Sequence, residues 1–222
     1  MKKDIFNLHG VSDHSIKCTY YNSEKSGRLA VFFPGFNYSA EAPFFYYLAN
    51  SVLFWGIDLL SLDFRYPECL SFLNSNDAYR TNMVRTEGKI VYDYILNRLP
   101  YKELLLVGKS LGTDSIIGIL DNTLVDINHS FIWATPFQNH LKLANLLMDL
   151  QAPSLFLWGT KDPYFSIDTI NKIEKNPNIT IKLFENAGHS FEAGDNPIDS
   201  IEMLKKVIEE VSSFIKRIWT LY

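Results

Sequence analysis

The feature that most constrains this chain is the apolar run Leu104-Leu105-Leu106-Val107. It ends in Gly108-Lys109-Ser110-Leu111-Gly112 and passes into Thr113-Asp114-Ser115-Ile116-Ile117. An apolar run, a serine between two glycines and a helix-favouring stretch read as a buried strand, a very sharp turn and a helix packed back on the sheet. Such a turn holds Ser110 in a strained conformation, and the chain beside it must pass so close to its neighbours that a Cβ at position 108 or 112 would clash. The turn lifts the Ser110 hydroxyl clear of the sheet. It also aims the first free N–H groups of the helix at whatever that hydroxyl attacks. A plain strand–helix turn in another α/β protein has the same local pattern, so the rest of the chain has to decide.

The Gly-x-Ser-x-Gly turn, with a strand before it and a helix after it, resembles the nucleophile elbow of the α/β-hydrolase family. The surrounding pattern is compatible with such a fold. Residues 14–22 predict an early strand, and Leu29-Ala30-Val31-Phe32-Phe33 predicts a central strand buried on both faces. Pro43 suits the first turn of a helix that Gly56 ends, and a strand follows over 57–64. Residues 65–82 read as irregular, either a small flap or a surface loop, and a helix follows over 85–98. After the elbow helix come strands at 131–134, 155–158 and 179–183, with helices over 141–150 and from Ser166 to Lys175 between them. A last helix begins near Pro197, with Ile201, Leu204, Ile208, Val211 and Ile215 as its docking stripe. Strand and helix alternate from residue 29 onward, which predicts a single α/β domain over 1–222 with a doubly wound, mostly parallel sheet flanked by helices. Ligands of such sheets bind at the carboxyl ends of the strands.

Bulk properties exclude several function classes. The 222 residues suit one α/β domain, and 47% apolar with 21% charged residues is a globular composition. A net charge of −4 leaves no basic excess for nucleic acid or anionic lipid. Cys18 and Cys69 stand outside any CxxC or Cys/His cluster, so no metal site is predicted. Free thiols in a reducing cytoplasm are expected, with a disulfide between them left open. Asp4, Asn7, His9 and Asp13 interrupt the N-terminal stretch, so no signal peptide is read, and no run approaches the ~18 apolar residues of a membrane span. No stable membrane insertion is expected; a monomer and a homodimer are both open.

A serine nucleophile needs a base, and the base needs a carboxylate to orient it. Of five histidines, His9 and His14 precede the first predicted strand, His129 lies at the wrong end of one, and His140 starts a helix. Only His189, in Glu185-Asn186-Ala187-Gly188-His189-Ser190-Phe191, follows a strand at the correct sheet edge with a glycine beside it. Asp162 projects from the tight loop Gly159-Thr160-Lys161-Asp162-Pro163 at another strand end. Asp63 and Asp114 compete for the acid role. Asp63 suits a local ion pair with Arg65, and Asp114 lies along the elbow helix. The order Ser110, Asp162, His189 is that of the α/β hydrolases, and the Gly-x-x-Asp and Gly-His pieces resemble that family's acid and histidine loops. The resemblance extends over roughly residues 29–215.

The resemblance implies a catalytic Ser110-His189-Asp162 triad and an oxyanion hole built from the backbone N–H groups of Leu111 and Phe36. The family usually shows His-Gly in the loop that supplies the second donor, where this chain has Pro34-Gly35. Pro34 is not the donor, so the N–H survives the change, while the bond that the histidine side chain makes has no equivalent. Asn37 either adds a side-chain donor or shapes the turn. Phe36, Asn37, Tyr38, Tyr66, Tyr164 and Phe191 flank the catalytic loops as candidate pocket residues, some of them shared with the core. Residues 136–153 hold one short helix, so no large cap domain is expected. The reading is a small lidless serine hydrolase that cleaves a carboxylic ester or thioester of a small acyl substrate, with no cofactor. A peptidase or acyltransferase on the same triad, and a binding protein that has kept the fold, are the alternatives.

Overall fold

The computed structural model describes residues 1–24, 26–121, 127–137 and 140–220. Its strands are β1 (Lys2–His9), β2 (Ser15–Asn22), β3 (Arg28–Phe33), β4 (Asp58–Asp63), β5 (Glu103–Lys109), β6 (Asn128–Ala134), β7 (Ser154–Gly159) and β8 (Ile179–Phe184). Its helices are α1 (Pro43–Phe54), α2 (Leu70–Leu73), α3 (Asp77–Arg98), α4 (Gly112–Leu120), α5 (His140–Asp149), α6 (Ile167–Ile173) and α7 (Pro197–Trp219). One sheet runs in the order β1-β2-β4-β3-β5-β6-β7-β8. From β4 to β8 every neighbouring pair is parallel. The hairpin β1–β2 is antiparallel and adds to β4 antiparallel, so the sheet is mixed at that edge only.

The central strands are apolar on both faces because helices cover both. Leu104 and Leu106 of β5 pack in one layer with Met83, Val84 and Val91 of α3, Ile116 of α4 and Leu143 of α5. Leu105 and Val107, pointing the other way, join Phe44, Phe45 and Leu48 of α1 and Val207 and Val211 of α7. Each large side chain buried in this way contributes about 1.5–3 kcal/mol relative to exposure. Among the described residues of the β6–β7 connection, α5 is the only helix, and no large cap covers the carboxyl ends of the strands. No helix among the described residues is long and apolar enough to cross a membrane.

Four sequence expectations need correction. His9 does not precede the first strand but ends β1, an edge strand missing from the sequence reading. Helix α3 begins at Asp77 instead of 85, because the Asn76 side chain accepts a hydrogen bond from the Tyr79 N–H and caps it. Residues 65–82 are therefore not irregular: a 3-10 turn at Tyr66–Glu68 and α2 precede that cap. In the docking stripe of α7 Ile201 alone departs from expectation, being 62% exposed; Leu204 and Ile208 pack partly buried against the core, and Val211 and Ile215 are fully buried.

A buried polar knot ties the edge hairpin to this layer. Glu87 of α3 is fully buried and accepts hydrogen bonds from the Val11 N–H (3.0 Å) and the Tyr66 hydroxyl (2.7 Å). His14 Nδ1 lies 2.7 Å from the same carboxylate, and its Nε2 meets the Phe64 carbonyl. A carbonyl only accepts, so Nε2 carries a proton, and a second proton on Nδ1 makes an imidazolium–carboxylate pair. Burial opposes that charge, but Glu87 and the Phe64 carbonyl outweigh it and raise the His14 pKa above its ordinary value. A raised folded value means that the pair's stabilisation is complete below the unfolded pKa, about 6.5, and fades as pH rises through the folded one. Glu87→Gln breaks the pair and leaves its donors mismatched, so urea unfolding at pH 6 should show a loss of about 3 kcal/mol, narrowing at alkaline pH. A loss below about 1 kcal/mol at pH 6 would contradict the charged pair.

Candidate active site

Strand β5 delivers Ser110 at its carboxyl end, and α4 starts two residues later. Ser110 has φ +53°, in the left-handed region, and is held there by the packing around it. Only glycine fits at 112, where a Cβ would lie 1.9 Å from the Phe33 carbonyl oxygen. The Ser110 N–H donates to Ala134 O (3.0 Å), and its carbonyl accepts from the Thr113 hydroxyl (2.7 Å), locking the turn on both sides.

Two other strand ends meet it. Ser110 Oγ lies 2.8 Å from His189 Nε2, and His189 Nδ1 lies 2.8 Å from Asp162 Oδ2. The buried Asp162 also accepts from the Trp158 indole N–H (3.1 Å) through Oδ2 and from the Tyr164 N–H (2.9 Å) through Oδ1. Burial pushes its pKa up, but the bonds from His189, the Tyr164 N–H and Trp158 prevail and hold the carboxyl below its ordinary range. Its stabilising contribution is thus present above the unfolded carboxyl pKa and is lost as pH falls through the folded value. The carboxylate fixes the His189 tautomer with the proton on Nδ1, leaving Nε2 to accept from the serine.

The competing carboxylates lie elsewhere. Asp63 pairs with Arg65 (3.0 Å), and Asp114 pairs with Arg85 of α3 (2.9 Å). His129 is buried against Tyr92, whose hydroxyl lies 2.8 Å from its Nε2. The side chain of His140 lies outside the described residues. Cys18 and Cys69 are both buried free thiols, and burial pushes Cys18 up to about 12.

A cavity of about 490 Å³ opens beside the Ser110 hydroxyl. Phe36, Asn37, Tyr38 and Tyr164 line it, as does Phe72, from the stretch over 65–82 read as either a flap or a surface loop; Phe137, which the sequence did not single out, lines it too. The Tyr164 ring stands edge-on to His189, with centroids 5.4 Å apart, and Phe36 stacks on Phe72 at 5.8 Å. Gly35 packs directly against the serine, its notional Cβ only 3.0 Å from the Ser110 Cβ, so the Pro34-Gly35-Phe36 turn stands next to the Ser110 hydroxyl. Among the described residues, the N–H groups of Phe36 and Leu111 donate to no backbone or side-chain acceptor.

Two expected pocket residues belong to the core instead. Tyr66 is buried, stacked between Phe64 (5.2 Å) and Phe72 (4.5 Å), with its hydroxyl spent on Glu87. Phe72 stands between it and the cavity. Phe191, at φ +62°, turns its ring under the histidine loop against Phe44 (5.7 Å) and Phe184 (5.6 Å).

The family model for the alpha/beta hydrolase domain matches residues 31–216. Among curated proteins nothing matches. The solved structures similar to this chain include a dienelactone hydrolase from Anabaena variabilis, with TM-score 0.72, 14% identity and 98% and 99% of the two chains covered. An esterase from Pyrococcus furiosus gives 0.70 at 14% identity over 97% of this chain and 92% of its own. An alpha-beta serine hydrolase homologue from Coxiella burnetii gives 0.68 at 14% identity over 95% and 98%. Identities at this level speak for the fold alone. The family match runs from β3, through the elbow and both loops that meet it, into α7, and by it the chain belongs to the α/β-hydrolase family.

Proposed function

We propose that the protein is a serine hydrolase of carboxylic esters or thioesters. The observation that carries this reading is the unbroken chain from Ser110 Oγ through His189 to Asp162, with both links at 2.8 Å, at the wall of an aromatic-lined cavity. His189 Nε2 takes the Ser110 proton as Oγ attacks the substrate carbonyl carbon. The carbonyl oxygen becomes an oxyanion, held by the N–H groups of Phe36 and Leu111. The imidazolium returns the proton to the departing alcohol or thiol, and an acyl-enzyme remains on Ser110. Water then attacks with His189 again as base, releasing the acid and regenerating the serine. Asp162 orients the imidazole and stabilises its charged form. No step calls on a cofactor.

The aromatic rings Phe36, Phe72, Phe137 and Tyr164 favour an apolar acyl group. Hydrolysis of p-nitrophenyl esters across increasing acyl length tests the reading. The expected result is an optimum in kcat/KM at a short or medium chain; no hydrolysis of any member would count against an esterase.

A further inference from the structure

Lys109, the residue between Gly108 and Ser110, has no part in the chemistry described so far, yet it is only 1% exposed. Its ammonium donates to the His189 carbonyl (2.9 Å) and to the Thr135 hydroxyl (3.2 Å), and it sits over the Tyr38 ring at 4.4 Å from the centroid. All three partners are neutral. A buried ammonium held this way costs more than a well-packed apolar side chain of the same size, so its presence is not explained by stability. Thr135, which accepts from it, is itself strained: a β-branched residue at φ +42° at the end of β6.

We propose that Lys109 is a positioning residue that clamps the backbone of His189 to the ends of β5 and β6, fixing the imidazole against Ser110. This rests on the reading of Ser110 and His189 as nucleophile and base. The histidine loop closes on itself through Gly188 N–H to Glu192 O (2.9 Å) and Ser190 N–H to the Glu192 carboxylate (2.7 Å). Those bonds shape the loop but do not tie it to the strand that carries the serine. The ammonium supplies that tie, to the carbonyl of the histidine itself. The charged and titratable groups facing it are Asp162 from the β7 loop, His189 and Glu192 from the β8 loop, and Tyr38 from the β3 loop. Burial lowers the lysine to about 8, against the pull of Asp162 and Glu192, so it is charged where a histidine base titrates.

The test compares wild type, Lys109→Met and Thr135→Val on a p-nitrophenyl ester. Rates are normalised to the sites that a fluorophosphonate titrates, which removes any loss of folded protein. Lys109→Met should lower kcat by roughly 10–100-fold with KM within about twofold, because the base is displaced while methionine, of similar length, replaces the lysine stem in the cavity wall. It should also move the acid limb of kcat/KM upward, because the cation bonded to the His189 carbonyl is gone. Thr135→Val leaves the charge and the His189 bond in place and should give a smaller kcat loss with the acid limb unmoved. An unchanged kcat in Lys109→Met, a change confined to KM, or an unmoved acid limb overturns the proposal. If Lys109→Met does not fold, an unchanged kcat in Thr135→Val overturns it. A wild type that neither hydrolyses the ester nor takes the label sinks the functional reading itself; an active wild type with an indifferent Lys109 variant sinks only this proposal.

Discussion

Ser110→Ala is expected to lower kcat for ester hydrolysis by roughly 10⁴–10⁶-fold while leaving the fold intact. The substitution removes one hydroxyl, and its bond to His189 Nε2, from the tip of the elbow. Alanine bears the same Cβ as serine, so the left-handed backbone at φ +53° is no more strained than before. The lost hydrogen bond costs about 1 kcal/mol. Thermal unfolding by circular dichroism should therefore change little. A purified, folded variant with a tenth of the wild-type rate contradicts the assignment of the nucleophile.

Asp162→Asn should cost roughly 10³–10⁴-fold in kcat, and the geometry says why. If the amide nitrogen faces His189 Nδ1, it donates a proton there, so the imidazole proton moves to Nε2 and the base can no longer accept from Ser110. The Trp158 N–H, which donates to Oδ2 in the wild type, then faces an NH₂ group as well. If the amide is flipped, the Tyr164 N–H loses its acceptor instead. Either orientation leaves a buried donor unsatisfied, so stability should fall by about 1–3 kcal/mol alongside the rate. Asp63→Asn and Asp114→Asn should each cost less than about a hundredfold in kcat, since their partners are Arg65 and Arg85 and neither carboxylate bonds to the His189 ring. Kinetics on the three purified variants separates the roles; a dead Asp114 variant beside an active Asp162 variant means that the acid is misassigned.

Much of the site was legible because its signals are local. The elbow announces itself by a glycine that no other residue can replace, at 112, and the acid and histidine loops by turn residues next to apolar strands. What escaped depends on packing. Strand β1 reads as a polar tail because only one of its faces meets the core; Phe6 and Leu8 pack inward while Ile5 is 59% exposed. The first two turns of α3 are polar, so the apolar period starts late, although Asn76 followed by Asp77 is a legible cap. Which aromatic faces the cavity turned on a short helix, α2, that presents Phe72 and hides Tyr66. Lys109 escaped for a different reason: a lysine is ordinarily exposed, and nothing in its neighbours says that a histidine carbonyl waits above it.

The proposed hydrolase stands or falls with Ser110 as the nucleophile that carries the acyl group. Intact-mass spectrometry after treatment with a fluorophosphonate, followed by peptide mapping, tests it directly. One adduct per chain is expected, on the peptide containing Ser110, formed in step with loss of ester hydrolysis and absent from Ser110→Ala. Hydrolysis that persists with Ser110 fully labelled, or an adduct that forms on another residue as activity disappears, would contradict it.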